Sequence, residues 1–244
     1  YYCSTADAPC NAKPYSLGTQ KVLEYGRVKT TDGSLKYMLN WPAFGNDYYI
    51  NVVEKKPIER EAYYTAAKNF TLGFIYFLQT ALKQPQIGFA TDEVNEGMAF
   101  MPYNREGRRI KGKVRLNIDH IATPFKTNLY RTGISVGDYP VDHHHARYNG
   151  KVPPIPFPSV PSFNIPLGAL MPEKIQGLVV CEKGISVSNI ANGTTRLQPV
   201  VLLTGQAAGA LAAVSLQQNI NVQDVSVTAV QKVLLTENVY LMPY

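Results

Sequence analysis

A run of small residues near the C-terminal end of the chain, Gly205-Gln-Ala-Ala-Gly-Ala-Leu-Ala-Ala213, predicts a helix whose backbone packs closely on its neighbours. Gly205 and Gly209 are four residues apart, so they share one helical face and leave no bulky side chain between the helix and an adjoining sheet. Pro199 suits the first turn, because its missing N–H would be unpaired there. The sequence therefore predicts a helix from about Pro199 to Gln218.

This helix lies in a stretch that contains no charged residue, from Leu197 to Gln223. Gln, Thr, Asn and Pro interrupt the stretch, which leaves fewer than the roughly twenty strongly apolar residues that a bilayer requires. A buried core helix is the better prediction.

Ahead of the helix, the sequence predicts a strand from Leu178 to Cys181 and a loop at Asn192-Gly-Thr-Thr-Arg196. The start of a helix presents free backbone N–H groups and a partial positive charge, which suit an anionic or electron-rich ligand. Small loop residues allow such a ligand to approach, and Arg196 can meet an electron-rich atom. Close packing of the helix alone is an equally plausible reason for the small residues.

The composition favours a globular protein with a packed core over a nucleic-acid-binding or zinc-binding protein. The chain has 244 residues, 45% of them hydrophobic, which is ample for a packed core. The net charge of +6 is spread along the chain, with one basic cluster from Arg105 to Arg115, and this pattern argues against nucleic-acid binding. Three cysteines without CxxC spacing argue against a zinc site.

Apolar residues at steps of three and four predict a helix from Pro57 to Lys83, with an aromatic stripe that we interpret as core packing. A second helix is predicted from about Val225 to Leu235. The Pro-dense segment Val152 to Pro166 excludes regular helix and central strands, and suits a crossing between domains. Further predicted strands are Met98–Tyr103, Arg109–Leu116 and Gly133–Val136.

Several motifs together resemble the FAD-dependent oxidoreductases. From residue 165 onward the family reads roughly Ile-Pro-Tyr-x-x-Leu-x-Pro, Leu-Leu-Val-Ala-Gly-Arg-x-Ile-Ser, Gly-Ser-x-Arg-Val and Gly-Gln-Ala-Ala-Gly. The chain has Ile165-Pro-Leu-Gly-Ala-Leu-Met-Pro172, Leu178-Val-Val-Cys-Glu-Lys-Gly-Ile-Ser186, Gly193-Thr-Thr-Arg-Leu197 and Gly205-Gln-Ala-Ala-Gly209 in the same order. Upstream, Met101-Pro-Tyr-Asn-Arg-Glu-Gly-Arg-Arg-Ile110 and Tyr139-Pro-Val-Asp-His-His144 are similar to the family's Pro-Tyr-x-Arg-Glu-Ser-Arg-Arg-Ile and Tyr-Pro-Ile-Asp-x-His. The similarity covers the chain from about residue 36 onward.

The resemblance implies an α/β fold in which a mixed sheet and helix (α+β) substrate domain is inserted into a two-part FAD-binding domain. Residues 1–155 would belong to the insertion and residues 156–244 to the C-terminal part of the FAD-binding domain. No GxGxxG motif occurs in the chain. We therefore expect an N-terminal segment or a separate chain to supply the dinucleotide-binding turn.

The implied activity is hydride transfer between a small organic substrate and FAD. The cofactor-binding candidates lie in the C-terminal motifs: Ser186, Gly193, Thr194, Thr195, Arg196, Gly205 and Gln206. The catalytic candidates are Asp142 and His144 as a carboxylate-oriented proton acceptor, and Arg105 and Arg109 as a clamp for a carboxylate or hydroxyl-rich substrate. Where the family has Ser-x-x-His, this chain has Asn189, which puts the role of that histidine in doubt here.

Other interpretations stay open at this stage. The arginines are equally compatible with an internal ion-pair network in which Glu106 neutralises one of them. The run of three histidines is also compatible with a polar loop or, less well, with a metal site. The alternative functions are a non-catalytic fragment or subunit without cofactor, and a carbohydrate-active lyase or binding protein that uses the Tyr-rich first half and the histidine cluster. Trp41, Tyr48 and Tyr49 could form a sugar-stacking wall, but aromatic core packing is the better interpretation.

Overall fold

The computed structural model describes residues 24, 26–38, 48, 51–94, 97–143 and 157–243. The chain divides into two compact units. The first comprises Tyr1–Tyr103 and His144–Pro153, and the second comprises Asn104–His143 and Pro154–Tyr244. The assignment of residues 1–155 and 156–244 to a substrate domain and an FAD-binding domain stays a prediction.

In the first unit, strands β1 (Arg27–Lys29) and β2 (Leu35–Tyr37) form an antiparallel hairpin. The Asp32 carboxylate closes its turn by accepting hydrogen bonds from the Thr30 hydroxyl at 2.5 Å and from the Ser34 N–H at 2.9 Å. These two donors lower the pKa of Asp32 to about 2. The hairpin turn is thus fixed by local polar contacts.

Helix α1 (Pro57–Thr80) confirms the predicted helix of the first half. Pro57 occupies its first turn, and the Glu59 side chain accepts a hydrogen bond from the Lys56 N–H at 2.9 Å. The aromatic stripe is buried at Phe74 and Phe77, as expected for core packing. Tyr48 contacts Phe70 with 5.3 Å between ring centroids, whereas Trp41 and Tyr49 lie outside the described residues.

In the second unit, strands β3 (Gly133–Gly137) and β4 (Phe163–Pro166) pair antiparallel with an irregularity in register between Gly133 and Ser135. Strand β3 confirms the prediction at Gly133–Val136. Strand β4 shows that the Pro-dense segment does enter a sheet, though not at its centre. Among the described residues this sheet has two strands, so β4 is an edge strand, where a proline without N–H is tolerated.

The described α-helices of this unit are α2 (Ile118–Ala122), α3 (Asn189–Thr195), α4 (Gln198–Gln218) and α5 (Val227–Thr236), and its 3-10 turns include Glu182–Gly184. Helices α4 and α5 confirm the two predicted C-terminal helices. Helix α4 contacts β3 and α5, and buries Val200, Thr204, Ala207, Leu211 and Val214. The chain is accordingly a mixed α/β protein.

Only one face of α4 joins this core. Its other face exposes Leu202, Gln206, Gly209, Ala213 and Leu216. By length and composition, Gln198–Gln218 is apolar enough to cross a membrane. Core helices pass the same test, and 33% of the tested window is buried.

A Cβ added at Gly205 or Gly209 would meet no atom within 4 Å. The prediction that these glycines allow close packing is therefore wrong for the described residues.

Three predicted strands are wrong. Met98–Tyr103 is irregular, and Phe100 is 99% exposed. Arg109–Leu116 forms only two isolated bridges, Gly112 with Pro172 and Leu116 with Val187. Leu178–Cys181 makes a single backbone hydrogen bond to the preceding turn, from Val180 N–H to Leu170 O, and then enters the 3-10 turn. These segments have strand-like sequences, but no described segment pairs with them over a strand's length.

Candidate functional site

Polar side chains of the second unit meet where three segments come together. The segments are residues 105–109, residues 142–143 and helix α3 with the residue that follows it. We call these side chains the polar cluster; its members are Arg105, Glu106, Arg109, Asp142, His143, Asn189 and Arg196.

Asp142 lies between two guanidinium groups. Arg196 Nη2 is 2.6 Å from Asp142 Oδ2, and Arg105 Nη2 is 3.3 Å from the same oxygen. Arg105 also donates to the Asp142 carbonyl oxygen at 2.8 Å. Arg196 is buried, with 6% of its side chain exposed, so the carboxylate supplies the charge compensation that a buried guanidinium requires.

Glu106 forms the second centre of the polar cluster. Its Oε2 accepts from Arg109 Nη1 at 3.2 Å and from Asn189 Nδ2 at 2.7 Å. Its Oε1 lies 3.5 Å from Nδ1 of His143. The carboxylate therefore joins the segment 105–109 to the start of α3 and to the neighbour of Asp142.

His143 is the most enclosed titratable residue of the polar cluster, with 4% of its side chain exposed. Its Nε2 lies 3.3 Å from the carbonyl oxygen of Ile190. The ring packs against Gly193 so closely that an added Cβ would lie 2.8 Å from Nε2. Gly193 is thus required by the histidine ring, a reason that the sequence did not indicate.

The predicted loop at residues 192–196 is wrong, because residues up to Thr195 belong to α3. Ser188 begins the helix: its Oγ accepts from the Ala191 N–H at 3.2 Å. Thr194 and Thr195 are buried, and the Thr194 hydroxyl donates to the Ala191 carbonyl oxygen at 3.0 Å. The side chain of Thr194 is therefore engaged within α3, as that of Arg196 is with Asp142.

Helix α4 begins directly after Arg196. Leu197 is its N-cap residue and provides no side-chain hydrogen bond, and no acidic residue lies in the first turn. The positive end of this 21-residue helix is thus not neutralised by its own residues. Gly205 and Gln206 lie further along the helix, half-buried and exposed respectively.

Two buried polar side chains of the same region have no hydrogen-bond partner within the described part of the chain. They are the Ser186 hydroxyl and the whole Asn192 amide, whose oxygen and nitrogen are both unpaired. Both residues are fully buried. Unpaired buried polar atoms are costly, so such atoms indicate a place where a bound group or a water completes the structure.

A comparison with protein families identifies the family of the chain. The model of the FAD dependent oxidoreductase family matches residues 4–234, which is nearly the whole chain. The chain belongs to the FAD-dependent oxidoreductase family. No curated protein and no solved structure shows a significant match.

FAD is the cofactor of this oxidoreductase family. Two features at the junction of α3 and α4 suit such a group. The start of α4 suits an electron-rich ring, and the unpaired Asn192 amide lies on the helix that leads directly into α4. The predicted cofactor residues Gly193 and Arg196 lie at the same junction, but Arg196 is directed to Asp142.

The structure brings the predicted residues Arg105, Arg109, Asp142 and Arg196 together, and their contacts form the ion-pair network around Glu106 that the sequence left open as an alternative. Their catalytic and cofactor-binding roles stay predictions. The sequence did not single out His143, because the family motif pointed to His144, which lies outside the described residues. No signal in the sequence distinguishes His143 from the two histidines that follow it.

Proposed function

We propose that this oxidoreductase transfers a hydride between a small organic substrate and FAD, with the isoalloxazine end of the cofactor at the start of α4. The observation that supports this most is Arg196. It is fixed by Asp142 of the polar cluster, and the next residue, Leu197, is the N-cap of α4. The substrate-facing and cofactor-facing groups are thus adjacent in one unit.

When bound, FAD supplies the two-electron acceptor, and the protein supplies position and charge. The N–H groups at the start of α4 stabilise negative charge on an electron-rich ring. Asp142 is already shared by two arginines, so its role in this proposal is to hold Arg105 and Arg196. His144 remains the proposed proton acceptor.

The charges of the polar cluster favour an acidic substrate. Arg105, Arg109 and Arg196 face two carboxylates, Asp142 and Glu106. Arg105 and Arg109 are partly exposed, with 26% and 20% of their side chains accessible. Their remaining N–H donors suit a carboxylate or a hydroxyl-rich group, which a guanidinium binds in two-pronged fashion.

We assign the pyrophosphate-binding turn to a further segment or chain, because the residues named above are proposed to bind only the isoalloxazine end of FAD. The chain by itself should then bind riboflavin, FMN and FAD with similar affinity, within about threefold of one another, since the extra phosphate and adenosine groups gain no contact. AMP should not compete.

Quenching of flavin fluorescence, titrated with purified protein, measures these affinities. Gly193→Val should abolish the quenching, because the added group collides with His143 and displaces the junction. Gly73→Val is the matched control, because a Cβ at Gly73 meets no atom within 4 Å. Competition by AMP, or equal binding by wild type and Gly193→Val, would contradict the placement of the isoalloxazine. Absence of any flavin binding would favour the non-catalytic alternative.

A further inference from the structure

Each ring nitrogen of His143 faces an oxygen atom. Nδ1 lies 3.5 Å from Glu106 Oε1, and Nε2 lies 3.3 Å from the carbonyl oxygen of Ile190. Both oxygens are acceptors without a proton to give. A neutral imidazole has one N–H and one lone pair, so either tautomer would direct its lone pair at one of these oxygens. Only the imidazolium donates to both.

The charged groups around the ring decide whether burial prevents this protonation. The carboxylate of Glu106 lies beside the ring, and it is shared with Arg109 and Asn189. The preceding residue, Asp142, is occupied by Arg105 and Arg196, so these guanidinium groups are directed at carboxylates. The ring therefore meets a negative charge directly, which favours its charged form against desolvation.

The position of His143 connects this protonation to the cofactor junction. Its Nε2 contact is with Ile190 in the first turn of α3, and its ring fills the space left by Gly193. Its Nδ1 contact is with the segment that carries Arg105 and Arg109. A protonated ring thus connects residues 105–109 to α3, the helix that precedes α4.

We propose that His143 is a positioning residue: as an imidazolium held between Glu106 and Ile190, it fixes α3 at the flavin junction, so that flavin affinity falls when the ring loses its proton. This inference rests on the proposed function for its effect on flavin. The protonated state itself does not depend on flavin. A group that stabilises an arrangement while protonated contributes at low pH, and its contribution is lost as pH rises.

Nitrogen NMR of protein labelled with 15N-histidine tests the protonated state without cofactor. At pH 6, both ring nitrogens of His143 should have the chemical shifts of protonated nitrogens, and loss of the signals in His143→Gln assigns them. In Glu106→Gln the ring should deprotonate at lower pH, because the charge beside Nδ1 is gone. One protonated and one bare nitrogen at pH 6 would overturn the inference.

Riboflavin titrations at pH 6 and pH 9, which bracket the ordinary titration of histidine near ~6.5, test the effect. The wild-type Kd should rise about tenfold over this interval, and that of His143→Gln less than about twofold. His120→Gln is the control. His120 is the other described histidine and lies in α2, so this variant should keep the wild-type pH dependence.

If His143→Gln does not fold, as judged by circular dichroism, Glu106→Gln carries the test. Its riboflavin affinity should begin to fall at lower pH than in wild type, and an unchanged profile would overturn the inference. Failure of every variant to bind riboflavin at either pH would contradict the proposed function, and the nitrogen shifts alone would then decide the inference.

Discussion

At the scale of single residues, the polar cluster depends on acids that each serve more than one partner. Asp142 compensates Arg105 and Arg196, and Glu106 compensates Arg109 while accepting from Asn189. Replacing one acid therefore disturbs several contacts together. Where one partner is as buried as Arg196, the replacement also removes a negative charge from beside a desolvated guanidinium.

Asp142→Asn should lower the free energy of unfolding by about 2–3 kcal/mol, because the amide keeps the shape of the carboxylate but removes the negative charge 2.6 Å from the buried Arg196 guanidinium. Urea unfolding followed by circular dichroism measures this loss. Asp138→Asn is the matched control in the same segment. Asp138 is exposed, so its replacement should stay within about 0.5 kcal/mol of wild type. Equal effects of the two variants would show that the ion pair with Arg196 adds nothing.

At the scale of helices and strands, α4 has two faces of different character. One face is buried against β3 and α5, whereas Gly209 lies on the opposite, exposed face with no atom near its missing Cβ. Glycine in that setting contributes neither packing nor helix propensity. It leaves the backbone freer in the unfolded chain than alanine would.

Gly209→Ala should therefore raise the free energy of unfolding by about 0.5–1 kcal/mol. The reciprocal variant, Ala213→Gly, lies one turn further along the same exposed face and should lower it by a similar amount. Thermal and urea unfolding of both variants give the comparison. Destabilisation by Gly209→Ala would instead mean that another surface packs against this face and needs the glycine.

The same helix shows which elements the sequence predicts well. Helix α1 follows from apolar residues at steps of three and four with Pro57 at its start, and α4 follows from a run of small residues after Pro199. The strand at Leu178–Cys181 failed because a strand needs a partner, and a single sequence does not say which segment pairs with it. Helix α3 was missed because Gly193 reads as a loop residue, although Ser188 is a usable N-cap.

The sequence identifies the residues of the candidate site better than it identifies the contacts between them. Arg105, Asp142 and Arg196 could be selected from motifs, but the bonds between them join residues 37 and 54 positions apart. Such pairings depend on how three segments fold together. His143 shows the limit clearly: three consecutive histidines are chemically alike in sequence, and only the fold places this ring against Glu106 and Gly193.

At the scale of the whole molecule, the described contacts of the polar cluster and the start of α4 belong to the second of the two compact units. A ligand that binds only the folded protein stabilises what it contacts by mass action. At a concentration ten times its Kd, it adds about 1.4 kcal/mol. If the isoalloxazine binds at this junction, that stabilisation should appear first in α3 and in the first turns of α4.

Hydrogen exchange measured peptide by peptide, with and without riboflavin, locates this effect. Amides of α3 and of the N-terminal half of α4 should exchange up to about tenfold more slowly with ligand at ten times its Kd, because their opening then competes with binding. Peptides from α1 serve as an internal reference, since that helix belongs to the first unit. Protection confined to α1 would place the flavin elsewhere. Protection in α3 and α4 that disappears in Gly193→Val would tie it to the junction that His143 and Arg196 define.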